Sequence, residues 1–432
     1  MKKISNFGFI IFFILVLNIL NEKEQEEEDD PGYENLLEWG IDNSLIISDK
    51  IKFIKRKDTK KYIAQDYIHE KEIIMDIPPA CMINLNKSFE FFKSKTIKKA
   101  FKQYKKESSN KMANLFYNYH EELTFMIYIL YMVNNNEKKY EKNKFYQYYK
   151  PIFYMIENNL DSFPYLYSNE QISFFKNTSF EGILESMKNN INSDIDFFED
   201  NIYKKIILLE DYLIYYIFAA QNSYLIDGKE NIVPYINFIK RDFKNINCEY
   251  SIENGNIIIK AIKTIFPGED LIIKPKSTSN HQSLFYYGET YEELLDIFQN
   301  YTIPILNPSL FSNKYRIKNL EGKKIDIIND DFYKNMINIY KEFAKYIKED
   351  DSELGACNLI LKYIKKLKED ISTFNYGDIK KAFFKKKDAD NVMMILNGEK
   401  RFLQKKIDSL EKYIKRLKKK PIKDEEEKVN EL

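Results

Sequence analysis

Between residues 36 and 84, apolar residues come in short runs broken by charges, as in IKFIKR, KKYIAQDY and KEIIMDIPP. This pattern predicts small strands and turns, with Pro78 and Pro79 closing the last strand. From about Lys87 to Asn231 the apolar spacing lengthens to that of helices. Over 209–226, LEDYLIYYIFAAQNSYLI, the residues Leu213, Ile217 and Ala220 share one helix face. Strand-like text returns over 248–274, where Asn254-Gly255 makes a two-residue hairpin turn and Pro267-Gly268 a second turn. Ile257, Ile259 and Ala261 alternate there with Ile258, Lys260 and Ile262. After about Asp296 the pattern is helical again. Phe332, Met336, Ile339, Phe343 and Ile347 step by three and four, and so do Leu403, Ile407, Leu410, Ile414 and Leu417. Both stripes read as packing faces, the second on a basic helix over 405–420 whose lysines form its solvated side.

The fold class expected from this order is α+β: a small β-rich module split by a helical insertion, then a mostly helical C-terminal lobe. The boundaries are a first β part over 33–86, the insertion over 87–229, a second β part over 230–292 and the helical lobe over 293–432. Residues 1–21 begin with Lys2 and Lys3 and continue in an apolar run from Phe7 to Leu20. That run is short for a membrane span, which needs about 20 residues. It suits the apolar region of a secretory signal but lacks a clear small-residue cleavage site, so it reads as a signal peptide or an uncleaved signal anchor. If the signal is real, the chain enters the secretory pathway or an organelle reached through it; otherwise it is cytoplasmic. Membrane contact is expected only through this segment, if uncleaved. Residues 22–32 are an acidic linker. The triplets NKS at Asn86, NTS at Asn177 and NYT at Asn300 are glycosylation acceptors of a kind that Asn-rich chains often produce by chance.

Composition narrows the chemistry. Of the 432 residues, 44% are hydrophobic, enough to fill the cores of two or three domains. Lys and Arg number 67 against 66 Asp and Glu, so no global excess points to nucleic acid or a membrane surface, and a charged site has to be local. Cys81, Cys248 and Cys357 lie far apart, as do His69, His120 and His281. With no CxxC, HxxxH, HExxH or GxSxG, a zinc site, a disulfide framework and a serine nucleophile have no anchor, and no metal is expected.

Several fragments then occur in a telling order: LLEWG (36–40), IAQDYIHEKEIIMDIPP (63–79), SFPYLYSNEQISFFKNTSF (162–180), IVPYINF, IKTIFPGEDLIIK, SNHQSLFYYGE (279–289) and NGEKRFL (397–403). Together with the split β module, they resemble the SET-domain proteins of the RuBisCO large-subunit methyltransferase type, whose members methylate lysine on various proteins or a histidine on actin. The resemblance implies S-adenosyl-L-methionine (AdoMet) as cofactor and a protein as substrate. It also implies three contributions from the chain. These are a glycine-rich loop near the first strand, an Asn-His pair after V-P holding the adenine and amino-acid parts, and a tyrosine before a glycine at the methyl-transfer channel.

Tyr287-Gly288 matches the last of these, and Tyr287 is the candidate catalytic residue, its hydroxyl orienting the target nitrogen. Asn280, seven residues upstream, matches as well; it is a candidate on the cofactor side and a support for the strand of Tyr287. The other contributions are altered. KRKDTKKYIA (55–64) has no glycine, the Asn-His pair falls on Lys240-Arg241, and the acid before it becomes Asn237. Lys274-Pro275 replaces a Tyr-Gly pair, and Gln221-Asn222 stands where the type has Ser-Arg. Lys240 and Arg241 are the remaining cofactor candidates, as partners of its carboxylate. The cofactor's sulfonium is itself positive, so fixed cations nearby weaken its binding unless they are solvated.

Two functions stay open. One is an AdoMet-dependent protein-lysine methyltransferase with a degenerate cofactor site. The other is a non-catalytic SET-fold protein that binds another protein. A third, an unrelated helical interaction protein, requires residues 36–85 not to pack beside residues 230–290.

Overall fold

A computed structural model describes residues 30–56, 59–92, 95–108, 121–156, 160, 162–176, 178–203, 205–277, 279–295, 302–303, 325–326, 341, 353–383 and 385–419. The leader over 1–21, Asn177, Asn300 and the stripe from Phe332 to Ile347 lie outside these residues. The chain divides into two compact units. The first takes its residues from 1–105, 120–158 and 211–275, the second from 106–119, 159–210 and 276–432. The stretch read as the second β part, 230–292, therefore divides after Pro275, and the insertion contributes to both units.

The first unit is built on a six-stranded sheet. Its strands are β1 (Ile46–Ile47), β4 (Ile73–Ile77), β7 (Lys240–Arg241), β8 (Cys248–Glu253), β9 (Asn256–Ala261) and β10 (Ile272–Ile273), in the spatial order β1-β4-β9-β8-β10-β7. Two hairpins complete the strands, β2 (Ile51–Arg56) with β3 (Thr59–Ala64), and β5 (Ser223–Ile226) with β6 (Lys229–Ile232). The decisive pairing is β4 with β9, antiparallel, with Met75 opposite Ile259 and Ile77 opposite Ile257. Asn256 Nδ2 reinforces it by donating to Asp76 Oδ1 at 2.7 Å. Distant segments thus form one sheet, which removes the unrelated helical reading.

Local chemistry explains most of these elements. Asn254 and Gly255, at φ 52° and 82°, take the left-handed conformations that a two-residue hairpin between β8 and β9 demands. Ile257, Ile258 and Ile259 are all buried. The alternation expected for β9 is therefore replaced by burial on both faces, as befits an interior strand. The helix predicted over 209–226 is also corrected: it runs Leu209–Asn222, and Ser223–Ile226 is a strand. Asp227 and Gly228, at φ 50° and 73°, make a tight turn there that offers residues 223–226 a cross-strand partner.

The aromatic core of this unit joins fragments far apart in sequence. Tyr33 stacks on Phe53 with centroids 3.9 Å apart, and the edges of Tyr62 and Phe238 close the cluster. Tyr235 adopts φ 70°, uncommon for a residue with a side chain. Its buried hydroxyl donates to Leu36 O at 2.8 Å. A Cβ at Gly40 would come within 2.2 Å of that hydroxyl, which ties the glycine of LLEWG to the tyrosine of IVPYINF.

Among the described residues the second unit is helical, apart from a short strand pair, Thr302–Ile303 with Ile325–Asp326. The Glu353–Ser372 helix packs on the long Lys386–Lys419 helix, where Leu403, Ile407, Leu410 and Ile414 are buried as their spacing predicts. Phe180, on the Ser179–Phe198 helix, stacks on Phe285 of the Asn280–Tyr287 helix at 5.0 Å. Among the described residues, no helix is long and apolar enough to cross a membrane.

Candidate functional site

In the β unit, four of the positions where the sequence departs from the SET pattern converge. The Leu209–Asn222 helix stops at Asn222, leaving its last carbonyls without partners inside the helix and carrying its negative dipole end. Arg241 reaches back to this end. Its Nη2 lies 3.4 Å from Gln221 O and 3.4 Å from Asn222 Oδ1. The fully buried Asn222 donates through Nδ2 to Phe218 O at 2.8 Å and to Asn237 Oδ1 at 3.4 Å. Those bonds fix the amide so that its oxygen is the end facing the guanidinium. Arg241, Gln221, Asn222 and Asn237 thus form one polar cluster.

Lys240 does not join them. Neighbours on a strand point to opposite faces, and the Lys240 side chain is 49% exposed, with Asp242 Oδ2 at 3.9 Å. Backbone bonds from Lys240 N to Leu271 O at 3.0 Å and from Asp242 N to Ile273 O at 3.1 Å set this register. Of the two cations read together in the sequence, only Arg241 turns toward the cluster.

The glycine-free hairpin β2–β3 uses three of its lysines internally. Lys55 Nζ lies 3.3 Å from Asp30 Oδ2, Lys60 Nζ sits 3.9 Å over the Tyr154 ring, and Lys61 Nζ contacts Asp270 Oδ1 at 2.6 Å. Asp30 also caps its helix, accepting from Gly32 N at 3.1 Å and Tyr33 N at 3.3 Å, and it accepts a bond from the Tyr154 hydroxyl. Burial pushes the Asp30 carboxyl up, but the bonds from Tyr154, Tyr33 and Lys55 outweigh it and hold its pKa below the ordinary value.

Asn280 and Tyr287 lie in the second unit, at the two ends of one helix, where a strand was expected. Ser279 caps that helix by accepting from Gln282 N at 3.2 Å, and this local bond is what makes the segment helical. The Asn280 side chain is used on the protein itself: Oδ1 accepts from Tyr291 N at 2.6 Å and Nδ2 donates to Tyr291 O at 2.9 Å. Its observed role is support of the chain that follows Tyr287. Gly288, at φ 62°, ends the helix by donating to Leu284 O at 3.1 Å, and a Cβ there would lie 3.2 Å from Ser162 Cβ. Tyr287 itself is half-buried.

Residues given no role by sequence reasoning complete this anchorage. Asn391 donates to Gly288 O at 2.9 Å and accepts from Thr290 N at 3.1 Å. Glu399, fully buried, accepts from the backbone N–H of Ser179 at 3.1 Å and from its hydroxyl, with His281 Nε2 at 3.4 Å. Glu399 lies within the quoted NGEKRFL fragment, so its place was visible though its task was not; Asn391 carried no signal. Among the described residues, no group of three His, Cys, Asp or Glu could hold a metal.

Comparison with known proteins places this geometry in a fold. A structure of Rubisco LSMT bound to AdoMet matches with a TM-score of 0.63 at 13% identity, covering 93% of this chain and 99% of that one. The SET domain of LSMT bound to lysine and AdoHcy matches with a TM-score of 0.60 at 13% identity, over 92% and 98%. No family model and no curated protein matches the sequence. The chain has the α+β SET-domain fold of these structures, in a strongly divergent sequence.

Proposed function

We propose that this SET-fold chain is an AdoMet-dependent protein-lysine N-methyltransferase whose cofactor seat has been rebuilt. The observation that carries the reading is the convergence of Arg241, Asn222, Gln221 and Asn237 at the end of one helix. Four of the departures from the SET pattern meet in one bonded cluster, which supports a rebuilt site over scattered loss. The donor set suits the amino-acid end of AdoMet: a guanidinium and amides for the carboxylate, helix-terminal carbonyls for the ammonium. The same carbonyls and Asn222 Oδ1 offset the Arg241 charge, which eases the conflict with a cationic cofactor.

Bound AdoMet supplies a methyl group on a sulfonium, for in-line transfer to a neutral amine. The chain's part is to position. The Tyr287 hydroxyl orients the target nitrogen by a hydrogen bond, and its location is held by Gly288, Asn280 and Asn391. Lysine as the target is supported by the ligands of the matched structures, lysine and monomethyllysine.

One observation favours a second reading, a non-catalytic SET-fold protein that binds another protein. The hairpin where a glycine-rich cofactor loop is expected has no glycine, and its Lys55, Lys60 and Lys61 are committed to internal partners. Calorimetric titration of AdoMet and of AdoHcy into the full chain separates the two. Binding at micromolar strength, about −8 kcal/mol, is expected. No binding up to millimolar cofactor would remove the methyltransferase reading and leave the partner-binding one.

A further inference from the structure

With cations and acids balanced over the whole chain, a charged surface has to be local, and one helix carries it. The Lys95–Ser108 helix, KTIKKAFKQYKKES, buries Ile97, Ala100 and Tyr104. Its five lysines within the first unit, Lys95, Lys98, Lys99, Lys102 and Lys105, are all exposed. At about 100° per residue they fall within an arc of about 120°, in a row about 15 Å long. No acid precedes Glu107 in this helix. We propose that the row is a docking surface for an anionic lipid bilayer, held by charge alone and independent of the AdoMet reading.

Three features carry it. First, the row is unfavourable for the helix itself. Lys95 and Lys98 stand in the first turn, at the positive end of the dipole, and like charges three and four residues apart repel. Second, the fold does not offset this charge as it does elsewhere. Among the described residues, Lys95, Lys99 and Lys102 make no ion pair, and Lys98 Nζ lies 5.8 Å over the Phe89 ring. Lys50, Lys61 and Lys365, by contrast, each meet a carboxylate at 2.6 to 2.7 Å. A layer of external anions would relieve the repulsion.

Third, the chemistry of the row selects a lipid surface over other polyanions. It presents no arginine and no exposed ring: Phe101 is half-buried against Phe89 and Phe125, and Tyr104 is buried. It therefore lacks the planar forks and stacking platforms that nucleic-acid binding uses. Point charges on flexible stems, set in a straight row, suit headgroups that rearrange freely in a plane. Because the apolar face of the helix is committed to the core, the contact is made on the membrane surface without insertion.

The competing role is an ordinary solvated helix face. Sedimentation of the full chain with vesicles of phosphatidylcholine plus phosphatidylserine, and with phosphatidylcholine alone, distinguishes the two. Any contact through the apolar run from Phe7 to Leu20 is common to both vesicles, so only the difference between them reads the row. Wild type should prefer the anionic vesicles by about 100-fold or more. That preference should vanish in about 1 M salt, where the Debye length falls to about 3 Å. K95Q/K99Q/K102Q should lose about 100-fold of it, roughly fivefold for each lysine. The same variant should melt no lower than wild type, because it relieves the repulsion along the helix. The charge-matched K362Q/K412Q/K415Q, at exposed lysines of the second unit, should keep the preference within about twofold.

Equal partition of the wild type onto the two kinds of vesicle overturns the proposal without any variant. A loss in K95Q/K99Q/K102Q no larger than in the charge-matched control also overturns it, since net charge alone would then account for the binding. Duplex RNA or polyglutamate that binds the wild type while anionic vesicles do not would overturn it in favour of another polyanion.

Discussion

The cluster around Arg241 and the surroundings of Tyr287 are held by different means. The contacts of Arg241 include two at 3.4 Å, to a carbonyl and an amide oxygen, and it lies on a two-residue strand at the edge of its sheet. The chain after Tyr287 is clamped by Asn280 and Asn391 through bonds of 2.6 to 3.1 Å, and its helix is backed by a buried carboxylate, Glu399. Residues that position a side chain have kept the SET pattern, as Gly288, Asn280 and Glu399 do. The departures from that pattern include Arg241, Gln221 and Asn222 of the other cluster. The internal clamp is the more constrained of the two, because loss of a buried, fully bonded side chain costs stability at once.

The sharpest way to break this contrast is to remove the clamp's deepest member. Glu399→Ala strips a buried carboxylate from Ser179 and His281 and should cost about 3–5 kcal/mol, read from the denaturant midpoint. Glu399→Gln keeps an acceptor and should cost clearly less. A loss below about 1 kcal/mol for the alanine variant would mean the second unit does not depend on it.

Tyr287→Phe comes next. It should reduce methyl transfer to a lysine-containing protein substrate by about 100-fold or more while leaving AdoHcy affinity unchanged in calorimetry. An equal fall in both would place the phenol on the cofactor instead of the target nitrogen. Gly288→Ala forces a side chain into φ 62° against Ser162 and should cost about 1–2 kcal/mol, visible in the thermal midpoint.

The smallest effect concerns pH. The pKa of Asp30 is lower in the folded chain than its ordinary value of 3.8. The stability it contributes is therefore fully present above the ordinary value and is lost as pH falls through the lower folded one. Comparing the melting temperature of wild type and Asp30→Asn across that acid window isolates this component. The wild-type advantage should shrink toward low pH, and an advantage that grows on acidification would contradict the assigned bonds.

Much of the frame was legible because its signals are local. Asn254-Gly255 announces its hairpin, the stripe from Leu403 to Ile414 announces its helix, and the split β module follows from the order of the runs. What could not be read depends on pairings between distant segments. That Lys240 faces solvent while Arg241 faces Gln221 and Asn222 follows from the parallel register of β7 on β10, which no neighbouring residue encodes. The end of the helix at Asn222 was masked by helix-compatible residues up to Ile226, although Asp227-Gly228 was the available turn signal. Asn280 was given a strand because Ser279 was not recognised as a helix cap. The SET resemblance drew attention to Lys240-Arg241 and Gln221-Asn222, and the structure brings Arg241, Gln221 and Asn222 into contact.

Strand β7 has one more consequence. As the outer strand of its sheet, it has a neighbour on one side only, and its Lys240 and Asp242 amides donate solely into that seam. Edge pairings of this kind open more readily than interior ones, so these two amides should exchange with solvent deuterium early. Arg241 lies between them. A ligand gripped by its guanidinium would hold the strand shut, making hydrogen exchange at this edge seam a direct gauge of occupancy.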